Sequence, residues 1–213
     1  MNKKTAPLID CPSNEEEGLD PTMDPMFSLL FFRQLEKGEI WINEPIFSST
    51  VSRLNMNLNY LSERRDIKTI KLYINSGGGS LFDSLACVDF IQSINKPVYT
   101  IASGMVLSGA LLLFASGDRR IAYPMSTFMA HDQQMKYWEG SRTVLKEELG
   151  FHDTINDKIV GFLASRTKLK EQEWEDLLSS PRDYYFDVQK AHEMGLVDEI
   201  VKQKNLNKKG KRK

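Results

Sequence analysis

The sequence predicts an α/β fold built on a parallel sheet with crossover helices. Three observations carry this expectation. Short runs rich in β-branched and aromatic residues alternate with helical patterns, and glycines or prolines punctuate the joints. The first two strand-like runs, "GEIWINE" and "IKLYINS", are separated by a stretch long enough for a crossover helix, which makes a β-α-β unit. Finally, 213 residues with 41% apolar and 27% charged content suit one soluble globular domain with a substantial core.

Taken in order, residues 1–25 are rich in Pro, Asp, Glu, Ser and Asn and read as a flexible leader. The folded domain is expected over 26–201. Between the first two strands, "SSTVSRLNMNLNYLSERR" spaces Val51, Leu54, Leu58 and Leu61 along one face of a helix. A glycine-rich turn then leads into a helix from Ser80 to about Ile94, followed by the strand "PVYTIAS", which ends at Ser103 and Gly104. An apolar helix starts at Ser108 in "SGALLLFASG", and "RRIAYP" and "STFMAHD" read as two more strands. From Ser141 to about Thr167 one long helix sets Leu145, Leu149, Ile155, Ile159 and Leu163 near one face. Its length predicts that it projects and packs against a further surface, another subunit being one candidate. A helix around "KEQEWEDLLSS" and a strand-helix-strand ending, with Gly195 as the helix stop, complete the domain. The tail 202–213 carries seven basic residues in twelve and reads as a solvated extension.

The formal net charge of -1 provides no global attraction for nucleic acid or an anionic membrane. No apolar run approaches the roughly 18 residues of a membrane span. The two cysteines, Cys11 in the leader and Cys87 in a helical pattern, argue against a disulfide framework and for a reducing, cytoplasmic setting.

Two stretches carry candidate chemistry. Gly77, Gly78 and Gly79 follow a strand and precede a helix, as phosphate-binding loops do. However, no Gly-Lys-Ser/Thr follows, and Phe82 stands where a dinucleotide fingerprint requires glycine. Three consecutive glycines exceed the needs of one tight turn, which points to close backbone approach by a ligand. In "IASGMVLSGALLLFASG", Ser108 reads either as a helix N-cap or as a nucleophile at a helix N-terminus, and Ser103 lies nearby. Neither serine lies in G-x-S-x-G, the motif of the α/β-hydrolase elbow.

A serine nucleophile needs a base, and the chain offers His131, His152 and His192. Of these, His131 closes a predicted core strand, the kind of position where α/β sheets gather their sites. Asp132, Asp183 and Asp187 are all chemically suited to orient it, and spacing does not choose among them.

These stretches together resemble the Clp protease proteolytic-subunit (ClpP) family. The resemblance spans roughly residues 38–201 and rests on "YINSGGGS", "GMVLSGALLLFASG", "FMAHD", "RDYYF" and "AHEMGLVDEI" in that order. It implies a crotonase-like β-α superhelix in which the long helix is a projecting handle. It also implies a serine endopeptidase with Ser108 as nucleophile, His131 as general base and Asp183 as the orienting acid. The resemblance further assigns the oxyanion hole to the amides of Gly79 and Gly109, and places Gly78 where substrate backbone passes. Unfolded polypeptide is the implied substrate, delivered by an AAA+ unfoldase to stacked heptameric rings. No cofactor or metal, no nucleic acid and no membrane is implied. Two other functions share the fold: an acyl-CoA hydratase or isomerase using the glycine loop for a thioester oxygen, and a non-catalytic or narrow-specificity ring subunit. The chain departs from the family pattern at Gly77, where proline is usual, at Gly109, where methionine is usual, at Asp132 and Gln133 and at Pro181.

Overall fold

The computed structural model describes residues 25–133 and 141–202. Its elements in chain order are α1 Pro25–Glu36, β1 Glu39–Ile42, α2 Ser48–Glu63, β2 Ile70–Ser76, α3 Leu81–Ser93, β3 Val98–Leu107 and α4 Gly109–Ala115. They continue with β4 Arg119–Ala122, β5 Thr127–Ala130, α5 Arg142–Arg166, α6 Glu171–Leu178, β6 Tyr184–Asp187, α7 Val188–Glu193 and β7 Glu199–Ile200. The predicted leader and basic tail lie almost wholly outside the described residues.

The main sheet runs β1-β2-β3-β4-β7, with β5 joined to β3 and β6 joined to β5. All pairings are parallel except β5 with β6, which is antiparallel. The predicted helix faces hold: Leu54, Leu58 and Leu61 of α2 are buried, and Val51 packs against the same core. The seven residues of α4 are all buried, as an apolar helix without a polar face requires. Phe128 packs between Phe114, tilted at a ring-centroid distance of 5.5 Å, and Phe186, stacked at 5.6 Å. Each such buried aromatic contributes roughly 1.5–3 kcal/mol relative to exposure.

β3 differs from its expectation. Instead of ending at Ser103 and Gly104, it continues to Leu107 and changes partner on the way. Tyr99–Ala102 pair with β4, whereas Met105–Leu107 pair with β5. The switch occurs at Gly104, whose φ of 128° is open to glycine, and a side chain there would strike the Asn75 amide oxygen. That oxygen accepts the Met105 N–H at 3.1 Å, while the β2 register slips between Ile74 and Ser76. A polar side chain thus replaces a ladder bond where the strand bends, and glycine marks a bend in a continuous strand instead of its end.

Two helices also diverge from expectation. α1 begins at Pro25, within the segment read as leader, and has no polar face to announce it: Leu29, Leu30 and Phe32 are exposed while Leu35 is buried. In α5 the C-terminal half carries the buried residues, while Phe151 of the N-terminal half meets the Phe82 ring of α3 at 6.2 Å. Ile155, Ile159, Val160 and Leu163 are buried, whereas Val144, Leu149 and Phe151 are exposed. Cys87 is buried in α3, and desolvation, with a smaller contribution from Asp83, pushes its thiol up to about 12, which keeps it protonated and inert.

The closing strand is latched electrostatically. The Asp198 carboxylate accepts from the Arg120 N–H at 2.7 Å, from its Nε at 3.0 Å and from its Nη2 at 2.6 Å. Partial burial pushes the Asp198 carboxyl upward, but the Arg120 hydrogen bonds and charge outweigh it and hold the group below its ordinary range. Arg166, at the end of α5, donates to the Ala115 carbonyl at 2.9 Å and to that of Gly117, capping α4 from outside.

Candidate active site

Ser108 stands between the end of β3 and the first residue of α4. With φ 54° and ψ -126°, it is the one non-glycine residue with positive φ among those described. Such a conformation costs about 1–3 kcal/mol and persists only where surrounding structure enforces it. Here its N–H donates to the Met129 carbonyl at 2.9 Å, and its own carbonyl accepts from Leu111 N–H at 2.8 Å. The chain therefore makes a sharp strand-to-helix elbow without G-x-S-x-G. The N-cap reading fails, because the Ser108 side chain makes no capping bond. Its Oγ instead lies 2.7 Å from His131 Nε2. An imidazole at that distance can take the hydroxyl proton.

His131 follows β5, and β5 lies beside the C-terminal half of β3 with Leu107 opposite Met129. The partner switch at Gly104 therefore brings His131 to Ser108. Ser103 lies well inside β3, before the switch, and the other two histidines are elsewhere. His152 Nδ1 lies 3.0 Å from the Gln133 side-chain oxygen, and His192 is exposed on α7.

The three aspartates now separate by position. Asp187 caps α7, accepting from Lys190 N–H at 2.8 Å, and Asp132 accepts from Gln133 N–H at 2.7 Å. In the β5–β6 pairing, Met129 faces Tyr185 and Ala130 faces Tyr184, where the pairing ends; His131 and Asp183 are the next residues of the two segments. The Asp183 side chain is exposed, accepts weakly from the Tyr185 hydroxyl at 3.5 Å, and makes no hydrogen bond to His131 among the described residues.

The glycine loop lies against the elbow. Gly78 has φ 88°, and a Cβ on it would fall 2.6 Å from the Leu107 carbonyl oxygen and 2.9 Å from Gly109 N. Gly79 makes a parallel bridge with Ile46: Ile46 N–H donates to the Gly78 carbonyl and Ser80 N–H to the Ile46 carbonyl, both at 2.9 Å. That pattern turns the Gly79 N–H away from Ile46, and no hydrogen bond among the described residues uses it. Gly109 N is the first amide of α4, where an N–H has no partner within the helix. Gly77 lacks a positive φ, and a Cβ on it would meet nothing within 4 Å, so its glycine answers no steric demand of this chain. Two supports have no counterpart among the sequence-predicted residues. Ser76 Oγ, buried, donates to the Glu44 carbonyl at 2.7 Å and accepts from Gly78 N–H at 3.2 Å, and Asn75 holds the β3 bend. Asn and Ser before a glycine run are turn formers, the one signal that could have marked them. Among the described residues, no three His, Cys, Asp or Glu side chains gather to hold a metal ion.

The profile of the Clp protease family matches residues 26–204, most of the chain. The chain belongs to the Clp protease family. Among its relatives is the ATP-dependent Clp protease proteolytic subunit of Bacteroides fragilis, 31% identical over 190 residues, which cover 88% of this chain and 88% of that protein. The protein of the same description from Bacteroides thetaiotaomicron is 30% identical over 190 residues, covering 88% of this chain and 83% of that one. That from Deinococcus radiodurans is 28% identical over 183 residues, covering 85% and 88%. The mixed α/β architecture agrees with this membership, and the glycine loop, the elbow, the His131 strand and β6 all fall inside the matched segment.

Proposed function

We propose that this chain is the proteolytic subunit of an ATP-dependent Clp protease and cleaves unfolded polypeptide as a serine endopeptidase. The observation that carries the proposal is the 2.7 Å contact between Ser108 Oγ and His131 Nε2 at a strained elbow. Ser108 Oγ attacks the peptide carbonyl while His131 takes its proton. The tetrahedral oxygen accepts from the Gly79 and Gly109 amides, each worth about 3–4 kcal/mol in the transition state. His131 then protonates the leaving amine, and water, activated by the same imidazole, hydrolyses the acyl-enzyme. Asp183, which adjoins the β5–β6 pairing at the same end as His131, orients the imidazole once its exposed side chain rotates inward. The substrate runs as an added strand past Gly78, through main-chain hydrogen bonds.

The exposed apolar residues on the N-terminal half of α5 and on α1 support assembly into stacked heptameric rings, in which those faces are covered. The relatives' description as ATP-dependent, in a chain without a phosphate-binding motif, supports delivery by a separate AAA+ unfoldase. The sparse cysteine content supports a cytoplasmic location. No helix among the described residues is long and apolar enough to cross a membrane.

The decisive test is Ser108→Ala. Casein and peptide cleavage should fall about 10⁶-fold, the scale seen when a triad nucleophile is removed, with assembly unchanged. Hydrolysis retained by that variant overturns the proposal. In the native protein a serine-reactive phosphonate should modify Ser108, located by mass spectrometry.

A further inference from the structure

Gly109 carries one of the two proposed oxyanion amides, and its missing side chain leaves no empty space. A Cβ there would fall 2.2 Å from Ser84 Oγ and 3.0 Å from Ser84 Cβ; the next neighbour is the Gly79 amide nitrogen at 3.7 Å, an ordinary contact. Ser84 belongs to α3, the helix that follows the glycine loop, and is completely buried. Its hydroxyl donates to the Ser80 carbonyl at 2.8 Å. Bonds of this kind, from a serine to the carbonyl one turn back, are ordinary in helices. What is particular here is where the other side of the oxygen points. Ser80 is bonded to Gly79, which bears the first amide, and Ser84 Oγ rests against the Cα of Gly109, which bears the second. The hydroxyl is a spacer of fixed length between them. Its own proton is committed to Ser80, so its position is held from the glycine-loop side and imposed on the elbow side.

We propose that Ser84 is a positioning residue that sets the separation of the Gly79 and Gly109 amides, and that Ser84 and Gly109 form a size-matched pair. The inference rests on the proposed role of those amides in hydrolysis. Glycine at 109 has no side chain to fix its place, and the buried Ser84 side chain adds a contact from α3 to the one that Gly78 makes from the loop. A gap of even a fraction of an ångström matters, because an oxyanion donor acts only where the oxygen will be.

The test is a matrix of variants at the two positions, reading kcat and KM for a fluorogenic peptide together with assembled size and melting temperature. Ser84→Ala should lower kcat about tenfold with KM unchanged, since substrate is still bound and the amide is only loosened. Gly109→Ala, whose new methyl collides with Ser84, should lower kcat about 10²–10³-fold, the scale of one lost donor. Ser84→Gly combined with Gly109→Ala should return kcat to within about tenfold of native, because the new Cβ then meets nothing closer than the 3.7 Å contact with Gly79 N. Ser84→Ala with Gly109→Ala should fall between, because its two Cβ atoms would stand 3.0 Å apart. A double glycine-alanine variant that assembles yet is as slow as Gly109→Ala overturns the inference. If that variant does not assemble, Ser84→Ala decides alone, and native kcat there overturns it. Failure of the underlying reading looks different: Ser108→Ala would keep its activity, whatever the matrix shows.

Discussion

The two walls of the candidate site are built differently. On one side, Ser108 and the glycine loop are clamped by backbone: Gly78 fits against Leu107, Ser108 and Gly109 with no room for a methyl, and Ile46 bonds the loop on both sides of Gly79. On the other, His131 and Asp183 lie just past the ends of the four-residue strands β5 and β6, and Asp183 points into solvent. In the proposed mechanism the first wall presents fixed donors to a transient charge, and strain held by packing suits that purpose. In that mechanism the second moves protons and needs only to be brought to the right place at the right moment.

Removing Asp183 should have the largest effect on the looser wall. Asp183→Ala is expected to lower kcat by about 10⁴-fold while leaving the melting temperature within a degree or two, because an exposed carboxylate supports little of the fold. An activity loss below tenfold would return Asp132 or another group to the role. On the tight wall, Gly78→Ala should cost both properties: activity down about 10²–10³-fold, and stability down by about 1–3 kcal/mol, from positive φ and from the 2.6 Å collision with the Leu107 carbonyl. Denaturant melts alongside peptidase rates separate the two walls on this point.

Smaller effects sharpen the comparison. The Asp198 carboxyl is held below its ordinary range, so the stability it provides is full above the unfolded value near 4 and is lost as pH falls through the lower folded value. Asp198→Asn should therefore melt at a lower temperature than native at pH 7, and the difference should shrink progressively in acid melts below about pH 4. A difference independent of pH would mean that the Arg120 latch acts through shape and not charge. The smallest change is expected at Gly77→Ala, within about 0.5 kcal/mol and twofold in kcat, because the site is open and its φ is ordinary. A large loss there would show that the loop needs freedom at its first glycine as well as its second.

Much of this molecule is legible in the order of its residues. Alternating apolar patterns mark the strands and helices of the β-α units, and the faces of α2 and of the C-terminal half of α5 follow from spacing alone. Ser80 and Ser141, read as helix starts, cap their helices, because local hydrogen bonding needs no distant partner, whereas Asp187 caps α7 at a position read only as a candidate orienting acid. α1 escaped because its first eight residues, Pro25–Phe32, hold a single polar side chain, Ser28, which leaves little period to read.

What only the tertiary structure decided is how separate segments meet. Ser108 and Ser103 look alike along the chain, and both can precede a helix. Only the bend at Gly104 and Asn75, and the change of partner from β4 to β5, put one of them beside His131. Asp183 and Asp187 differ by four residues, yet one adjoins the end of the β5–β6 pairing where His131 leaves β5 and the other pairs with Thr127, because β6 returns antiparallel to β5 after two intervening helices. Local preference is a property of a few neighbouring residues. Register across more than fifty residues is a property of packing, and so is the fit of Ser84 into the space that Gly109 leaves.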